Sequence, residues 1–196
     1  MKSLSLILTL CCLTATATAA EPISRQPVIE LWFVSAQMRP THPEVVLFDD
    51  GSVQALIDAG QVLEGRITPE QLGAIQRELL VDCQLASITT SQLASELQLA
   101  SETTGLTWRI PNADESVIRC RTVAGERVEV RCPAVGLLSS RFPTIAALQR
   151  MRQAQQRLVN VRAIVQVGGG TAASNLAQYA TESAQQQSPE VPEMRA

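Results

Sequence analysis

The sequence is poor in the residues that most enzyme and metal sites require. It contains one histidine, His42, one lysine, Lys2, and only 3% aromatic residues. A single histidine excludes a metal site built from several histidines, and a Ser-His-Asp or Cys-His catalytic site would have to use His42. Because His42 lies between prolines in RPTHP, we interpret it as an exposed loop residue. Glycine-based nucleotide motifs are also missing, since Gly168–Gly170 fit neither the phosphate-binding nor the dinucleotide-binding pattern.

Basic charge is scarce as well. Beyond Lys2 the chain carries 15 arginines against 19 acidic residues, a net charge of −4. A nucleic-acid binder needs a basic face, so this balance disfavours nucleic acid as a partner. No apolar run is long enough to span a bilayer as a helix, so we expect no membrane span after the first 20 residues.

The N-terminal segment has the three parts of a signal peptide. Lys2 provides a short basic region, residues 4–13 are apolar, and small residues follow. We predict a signal peptide over residues 1–20, cleaved near Ala19 or Ala20, and therefore a secreted or periplasmic protein. A lipoprotein is the alternative, but the paired cysteines of the apolar region follow a leucine rather than a small residue.

Three cysteines follow the predicted signal peptide, and an exported protein usually meets an oxidising compartment in which disulfides form. An odd number leaves at least one of them unpaired within the chain. Cys83 ends an apolar helical stripe, and the neighbouring Asp82 opposes a lowered thiol pKa. We therefore interpret Cys83 as a core residue rather than as a nucleophile.

Hydrophobic periodicity predicts the order of the elements. Strands precede two helices, further strands follow, and a long helix ends the pattern, which favours an α+β fold. We expect a mainly antiparallel sheet with helices packed on one face and a long C-terminal helix. The strands are predicted over 28–34, 45–48, 52–57, 106–110 and both halves of 117–132, and the helices over 69–83, 91–101 and 144–165.

The predicted domain boundaries follow from the signal peptide and from a glycine run. A single α+β domain is expected over 21–168, and a Gly-rich joint, a weak helix and a disordered tail over 169–196. In the long helix before this run, the predicted inward stripe is polar in its middle, at Arg152 and Gln155. Such a stripe is unusual for a core helix and would suit contact with a partner.

Two short motifs predict local structure. Asp50-Gly51, between apolar runs, is typical of a two-residue type I′ hairpin turn. Thr68 and Gln71 have the spacing of a capping box, and Pro69 suits the first helical position.

Residues 117–132, VIRCRTVAGERVEVRC, alternate between apolar and charged side chains, with both cysteines on the apolar side. Cys120 would oppose Cys132 in only one register, whereas a two-residue turn at Gly125-Glu126 would place Cys120 opposite Arg131. We expect core positions for Cys120 and Cys132, and a disulfide between them is the alternative.

Arginines occupy the other side of the same hairpin. We interpret this side as a solvated sheet face, which the alternation itself predicts. An anion-binding face is the alternative, with Glu129 offsetting one charge. Its candidate residues are Arg119, Arg121 and Arg131.

The stretches LFDDGSV, GRITPEQLGAIQREL and FPTIAALQRMRQAQQRL resemble a family of uncharacterised exported bacterial proteins. The shared features are a strand–Asp-Gly–strand, a Ser/Thr-Pro-Glu helix start and a Pro-led helix. The resemblance covers residues 44–165 and implies export and a single domain, and it implies no activity.

No cofactor, metal site or catalytic residue is predicted. We expect an exported soluble protein that acts as a non-enzymatic binding or interaction module of the cell envelope or extracellular space, with an unknown protein partner. One alternative is a secreted hydrolase or thiol enzyme that uses Cys83 or His42. Another is a secreted inhibitor or chaperone-like module that uses the helix over 144–165.

Overall fold

The computed structural model describes residues 25–35, 37, 40–57 and 60–168. The predicted signal peptide and the predicted joint, weak helix and tail lie outside these residues. The described part is an α+β fold with a six-stranded antiparallel sheet and helices packed on one face, which confirms the predicted fold class. The strands are β1 Pro27–Val34, β2 Val45–Phe48, β3 Ser52–Leu56, β4 Val62–Arg66, β5 Glu115–Arg121 and β6 Arg127–Pro133, and the helices are α1 Pro69–Arg77, α2 Thr90–Thr104, α3 Val135–Arg141 and α4 Ala146–Gln166.

The first strand lies in the interior of the sheet. The strand order is β4-β3-β2-β1-β5-β6, and each neighbouring pair is antiparallel. The first four strands form a meander, and the chain then passes through α1 and α2 before β5 pairs with the other side of β1. The pairing of β1 with β5, which follows this long connection, joins the N-terminal strands to the β5–β6 hairpin.

Two hairpins, β2–β3 and β5–β6, share one kind of turn, a three-residue loop whose last residue is a glycine with positive φ. These glycines are Gly51 (φ 78°) and Gly125 (φ 84°). Such a loop needs positive φ only at its third position, where glycine carries no steric cost. The two-residue turn predicted at Asp50-Gly51 is therefore wrong, and the two-residue option at Gly125-Glu126 does not form. The strand β4, which follows Gly60 (φ 76°), was not predicted.

The start of α1 confirms the predicted capping box. The Thr68 side chain accepts a hydrogen bond from the Gln71 backbone N–H, and the Gln71 side chain accepts one from the Thr68 N–H at 2.9 Å. The helix continues into a π-helical turn, Glu78–Asp82, and its predicted apolar stripe is buried as far as Cys83.

The long helix α4 differs from the prediction in its inward stripe. Arg152 is exposed and Gln155 is only half-buried, because the stripe passes through the preceding residues, Met151 and Ala154. The stripe is therefore apolar throughout, and the predicted polar middle is wrong. The buried residues of α4 are Ala147, Leu148, Met151, Ala154, Leu158, Val161 and Val165.

Two further elements were misjudged. The short helix α3 precedes α4 and was not predicted. The strand predicted over 106–110 does not form, because Trp108 and Ile110 pack against the core from an irregular segment that pairs with no strand. In the ranges that the structure describes, no helix combines the length and the apolar character needed to cross a membrane.

Replacing Gly51 by alanine should destabilise the fold more than the same change at Gly125. Both glycines have positive φ, which costs a non-glycine residue about 1–3 kcal/mol. A Cβ at Gly51 would also lie 2.5 Å from the carbonyl oxygen of Ile67, whereas nothing lies within 4 Å of a Cβ at Gly125. Urea unfolding should show the larger loss of unfolding free energy for Gly51→Ala. Equal losses in the two variants would contradict the close approach of the Ile67 carbonyl.

Candidate functional site

The candidate site is the sheet face opposite the helices, which we call the open face. At its centre a row of charged residues crosses three strands: Glu30 on β1 pairs with Arg119 on β5, which pairs with Glu129 on β6. Side chains alternate along each strand, so the neighbours of these residues point into the core, where Ile118 and Val130 are buried. The alternation therefore places the charged side chains on the open face and the apolar side chains in the core.

Arg119 is held from three sides. Its Nε lies 2.7 Å from an oxygen of Glu129, and its Nη1 lies 3.2 Å from Oε2 of Glu30. The guanidinium carbon also lies 5.2 Å from the ring centroid of Trp32, a cation–π distance. Trp32 donates its indole N–H to the same Glu30 oxygen at 3.1 Å. Charge-assisted hydrogen bonds of this kind fix the orientation of the guanidinium plane.

Arg131 belongs to the same network. Its Nε lies 2.7 Å from Oε1 of Glu129, and its Nη1 lies 3.4 Å from an oxygen of Glu115. Glu129 therefore bridges two arginines, one through each oxygen. Partial burial acts to raise the pKa of Glu129, but hydrogen bonds from Arg119 and Arg131 and their charges together outweigh it and hold that pKa below its ordinary value.

Val117, two residues before Arg119 on β5, shows that the network also covers apolar surface. Val117 pairs with Trp32 on one side and with Arg131 on the other. It is only 1% exposed although it lies on the open face, where no described helix packs. The aromatic ring and the arginine stems thus form a thin packed layer over this part of the sheet.

The structure gives different partners to the three arginines of the alternative anion-binding face. Of its three candidates, Arg119 and Arg131 are compensated by carboxylates, two of which, Glu30 and Glu115, were not anticipated. In the described part of the chain, Arg121 contacts a neutral group, since its Nη1 donates to Oε1 of Gln26 at 2.7 Å. The three arginines therefore do not act alike.

A cleft of about 120 Å³ lies at the end of the open face, beside Arg121. Its lining includes Arg127, which the sequence reasoning missed although it alternates with Glu129 and Arg131. Arg127 is 63% exposed, and the distance to its carboxylate neighbour Glu30 is 3.8 Å. We call this cleft the arginine cleft; its lining includes Pro27, Val28, Glu30, Arg119, Arg121 and Arg127.

The register of the β5–β6 hairpin decides the question of the disulfide. Cys120 pairs with Val128 and Cys132 with Ser116, so the two cysteines share a face but lie four residues apart along the hairpin. That separation is roughly 13 Å, too far for a disulfide. Cys120 and Cys132 are free and buried, as core residues. The disulfide alternative is wrong because the three-residue loop at Gly125 sets another register.

Cys83 is also free and fully buried. Burial, together with the negative charges of Glu78 and Asp82, raises the pKa of its thiol to about 11. His42 is exposed in its loop, whereas Cys83 has no exposed surface, and the arginine cleft contains neither residue.

A second, more open groove follows the outer side of α4, with a volume of about 560 Å³. Arg152 lies on this side and donates to the backbone carbonyl of Gly136 at 3.1 Å, while Arg157 pairs with Glu78 at 2.9 Å. The groove is polar and carries amide groups. Its lining is Glu78, Gln149, Arg152, Gln153, Gln156, Arg157 and Asn160.

Metal binding finds no support in the described ranges, where no three histidine, cysteine, aspartate or glutamate residues are placed to hold an ion. Comparisons with protein-family models, curated proteins and solved structures find no match for this chain. The resemblance to exported bacterial proteins therefore stays a prediction, and function has to be inferred from the open face itself.

The three core thiols should be unreactive in the folded protein. Burial raises the pKa of Cys120 to about 11, as it does for Cys83, and burial with the charge of Glu115 raises that of Cys132 to about 12. At pH 8 only about one thiol in a thousand or fewer is a thiolate. Iodoacetamide labelling with peptide mass spectrometry should therefore modify these residues only after urea unfolding. Fast labelling of folded Cys83 would contradict this account and favour a thiol enzyme.

Proposed function

We propose that the protein is an exported, soluble, non-enzymatic binding module of the cell envelope or extracellular space. In this proposal its partner, another protein, contacts the open face around β1, β5 and β6. The observation that carries the proposal is the pairing of Arg119 with Trp32, held by two carboxylates on a sheet face without helix cover in the described ranges.

Trp32 and Arg119 suit a binding role because of their residue types and their rigidity. Tryptophan and arginine are enriched among the residues that dominate binding energy at protein interfaces. Side chains that are fixed before binding lose little conformational entropy when a partner arrives. Charged groups at an interface mainly set its specificity and register. The fixed network is therefore suited to orienting a partner.

Export is part of the proposal and is supported by the signal-peptide pattern of residues 1–20. Three unpaired cysteines would be a liability in an oxidising compartment if they were accessible. Here Cys83, Cys120 and Cys132 are each at most 2% exposed, and burial raises the pKa of all three thiols. Buried protonated thiols resist oxidation, so the odd cysteine count is compatible with export.

The second candidate function is an inhibitor or chaperone-like module that uses α4. The observation in its favour is the polar groove along the outer side of that helix, where Arg152 is exposed. It ranks below the first candidate because, among the described residues, Arg152 has only a backbone partner and no aromatic residue lines the groove. A hydrolase or thiol enzyme ranks third, given the burial of Cys83.

Site-resolved photo-crosslinking tests the proposal. A photoreactive residue would replace Gln54 on the open face of β3, Gln153 in the α4 groove, or Arg77 on α1 as the matched control. Each chain would be expressed with its own N-terminal segment in a bacterial cell, and its location and N-terminal mass would be read before irradiation.

We expect an exported chain that begins at Ala20 or Glu21 and forms a discrete crosslinked product from Gln54 but not from Arg77. A product from Gln153 alone would favour the second candidate and contradict the open face. Equal products from all three positions would show non-specific contact. A chain that retains Met1 in the cytoplasm would contradict export.

A further inference from the structure

We infer that the arginine cleft binds a peptide carboxylate supplied by the partner protein, through Arg121 and Arg127. This inference rests on the proposed function and names the chemistry of the group that the open face recognises. It depends on three observations: the charge of the cleft, the pairing of its arginines, and an internal example of the same contact.

The cleft concentrates positive charge in a chain that is acidic overall. Three arginines line it, Arg119, Arg121 and Arg127, against the carboxylate of Glu30. Arg119 is also paired with Glu129, so three positive and two negative groups leave a local charge of +1. The whole chain has a net charge of −3. A site of this sign attracts an anion, and its position at one end of the open face leaves it accessible.

The second observation is that Arg121 and Arg127 are directly opposite one another across β5 and β6. Like charges in this position destabilise an antiparallel pair. Because Thr122 and Glu126 form the hydrogen-bonded pair next to the loop, Arg121 and Arg127 form a non-hydrogen-bonded pair, whose side chains lie closer together. The register of the hairpin therefore brings two positive charges close together.

The third observation is the contact that Glu129 makes on the same face. There one carboxylate joins Arg119 and Arg131, with an oxygen 2.7 Å from the Nε of each. The two pairs of arginines on this face therefore differ. Arg119 and Arg131 share the carboxylate of Glu129, whereas Arg121 and Arg127 share no carboxylate in the described ranges. A carboxylate from outside would complete the second pair as Glu129 completes the first.

The shape of the cleft limits what can enter. Its volume of about 120 Å³ suits a carboxylate with a few carbon atoms rather than a nucleotide or sugar. Pro27 and Val28 supply an apolar wall for those carbons, and Glu30 disfavours a doubly charged anion such as phosphate. A single carboxylate at a peptide C-terminus or on a glutamate side chain meets these conditions.

Nuclear magnetic resonance titration of the exported chain tests the inference with defined probes. One probe pair is acetyl-Gly-Leu with a free C-terminus and the same peptide amidated. The other is acetyl-Gly-Glu-Gly amide and its glutamine counterpart. The readout is the shift of the side-chain Nε–Hε signals of Arg121 and Arg127, measured in the wild type, in Arg121→Gln, in Arg127→Gln and in the control Arg66→Gln. Arg66 lies on the open face of β4, at the opposite edge of the sheet.

We expect a carboxylate probe to shift the Arg121 and Arg127 signals and its neutral twin to leave them unchanged. The probe that binds identifies the source as a C-terminus or a glutamate side chain. Each cleft variant should weaken binding about tenfold, the loss expected for one charged hydrogen bond, while Arg66→Gln binds as the wild type does. A thermal melt confirms that each variant is folded.

Equal shifts with acid and neutral probes, equal weakening in Arg66→Gln, or no shift with either acid would overturn the inference. The proposed function is tested by a separate result, the crosslinking from Gln54. If Gln54 crosslinks a partner and no carboxylate probe binds, the open face is a binding surface without this specificity. If a carboxylate probe binds and Gln54 yields no product, the cleft stands and the broader interface is wrong.

Discussion

Two glycines with positive φ, Gly51 and Gly125, each at the end of a three-residue loop, are the constraint on which the rest of the structure depends. Each loop fixes the register of the hairpin it closes, and a slip of one residue would turn every side chain of a strand to the other face. In the hairpins closed at Gly51 and Gly125, the buried apolar side chains such as Val53 and Val130 point towards the helices, while Gln54 and Glu129 lie on the open face. Cys120 pairs with Val128 for this reason, and both cysteines of the hairpin become core residues.

The same register organises the charges. It places Glu129 opposite Arg119, where one carboxylate serves two arginines, and it places Arg121 opposite Arg127, where none does. The pairing of β1 with β5 then adds Glu30, a residue 89 positions from Arg119 in sequence. The open face is therefore a network whose compensation weakens at one end, where Arg127 lies 3.8 Å from Glu30 and Arg121 contacts only a neutral group in the described ranges. That difference within a single hairpin is what makes the arginine cleft a candidate site.

Local signals in the sequence predicted local structure well. The capping box at Thr68, the buried stripe that ends at Cys83 and the α+β order of elements follow from spacing alone, because each depends on residues within a few turns. The inward stripe of α4 was displaced by one residue because Met151 and Ala154 satisfy the helical period as well as Arg152 and Gln155 do, and only the packed core decides between them. The strand predicted over 106–110 failed since its apolar residues had no strand to pair with. The candidate site was only half visible: alternation revealed the arginines and Glu129, but Glu30 reaches Arg119 only through the long-range pairing of β1 with β5.

The register of the β5–β6 hairpin is the most direct test of this account. In an antiparallel sheet the Cα atoms of a non-hydrogen-bonded pair lie about 4.5 Å apart, which brings their Hα atoms into close contact. Nuclear Overhauser spectra of the folded protein should therefore show Hα–Hα contacts between Arg121 and Arg127 and between Arg119 and Glu129. A contact between Arg121 and Arg131 instead, the register in which Cys120 faces Cys132, would contradict both the turn at Gly125 and the carboxylate site built on it.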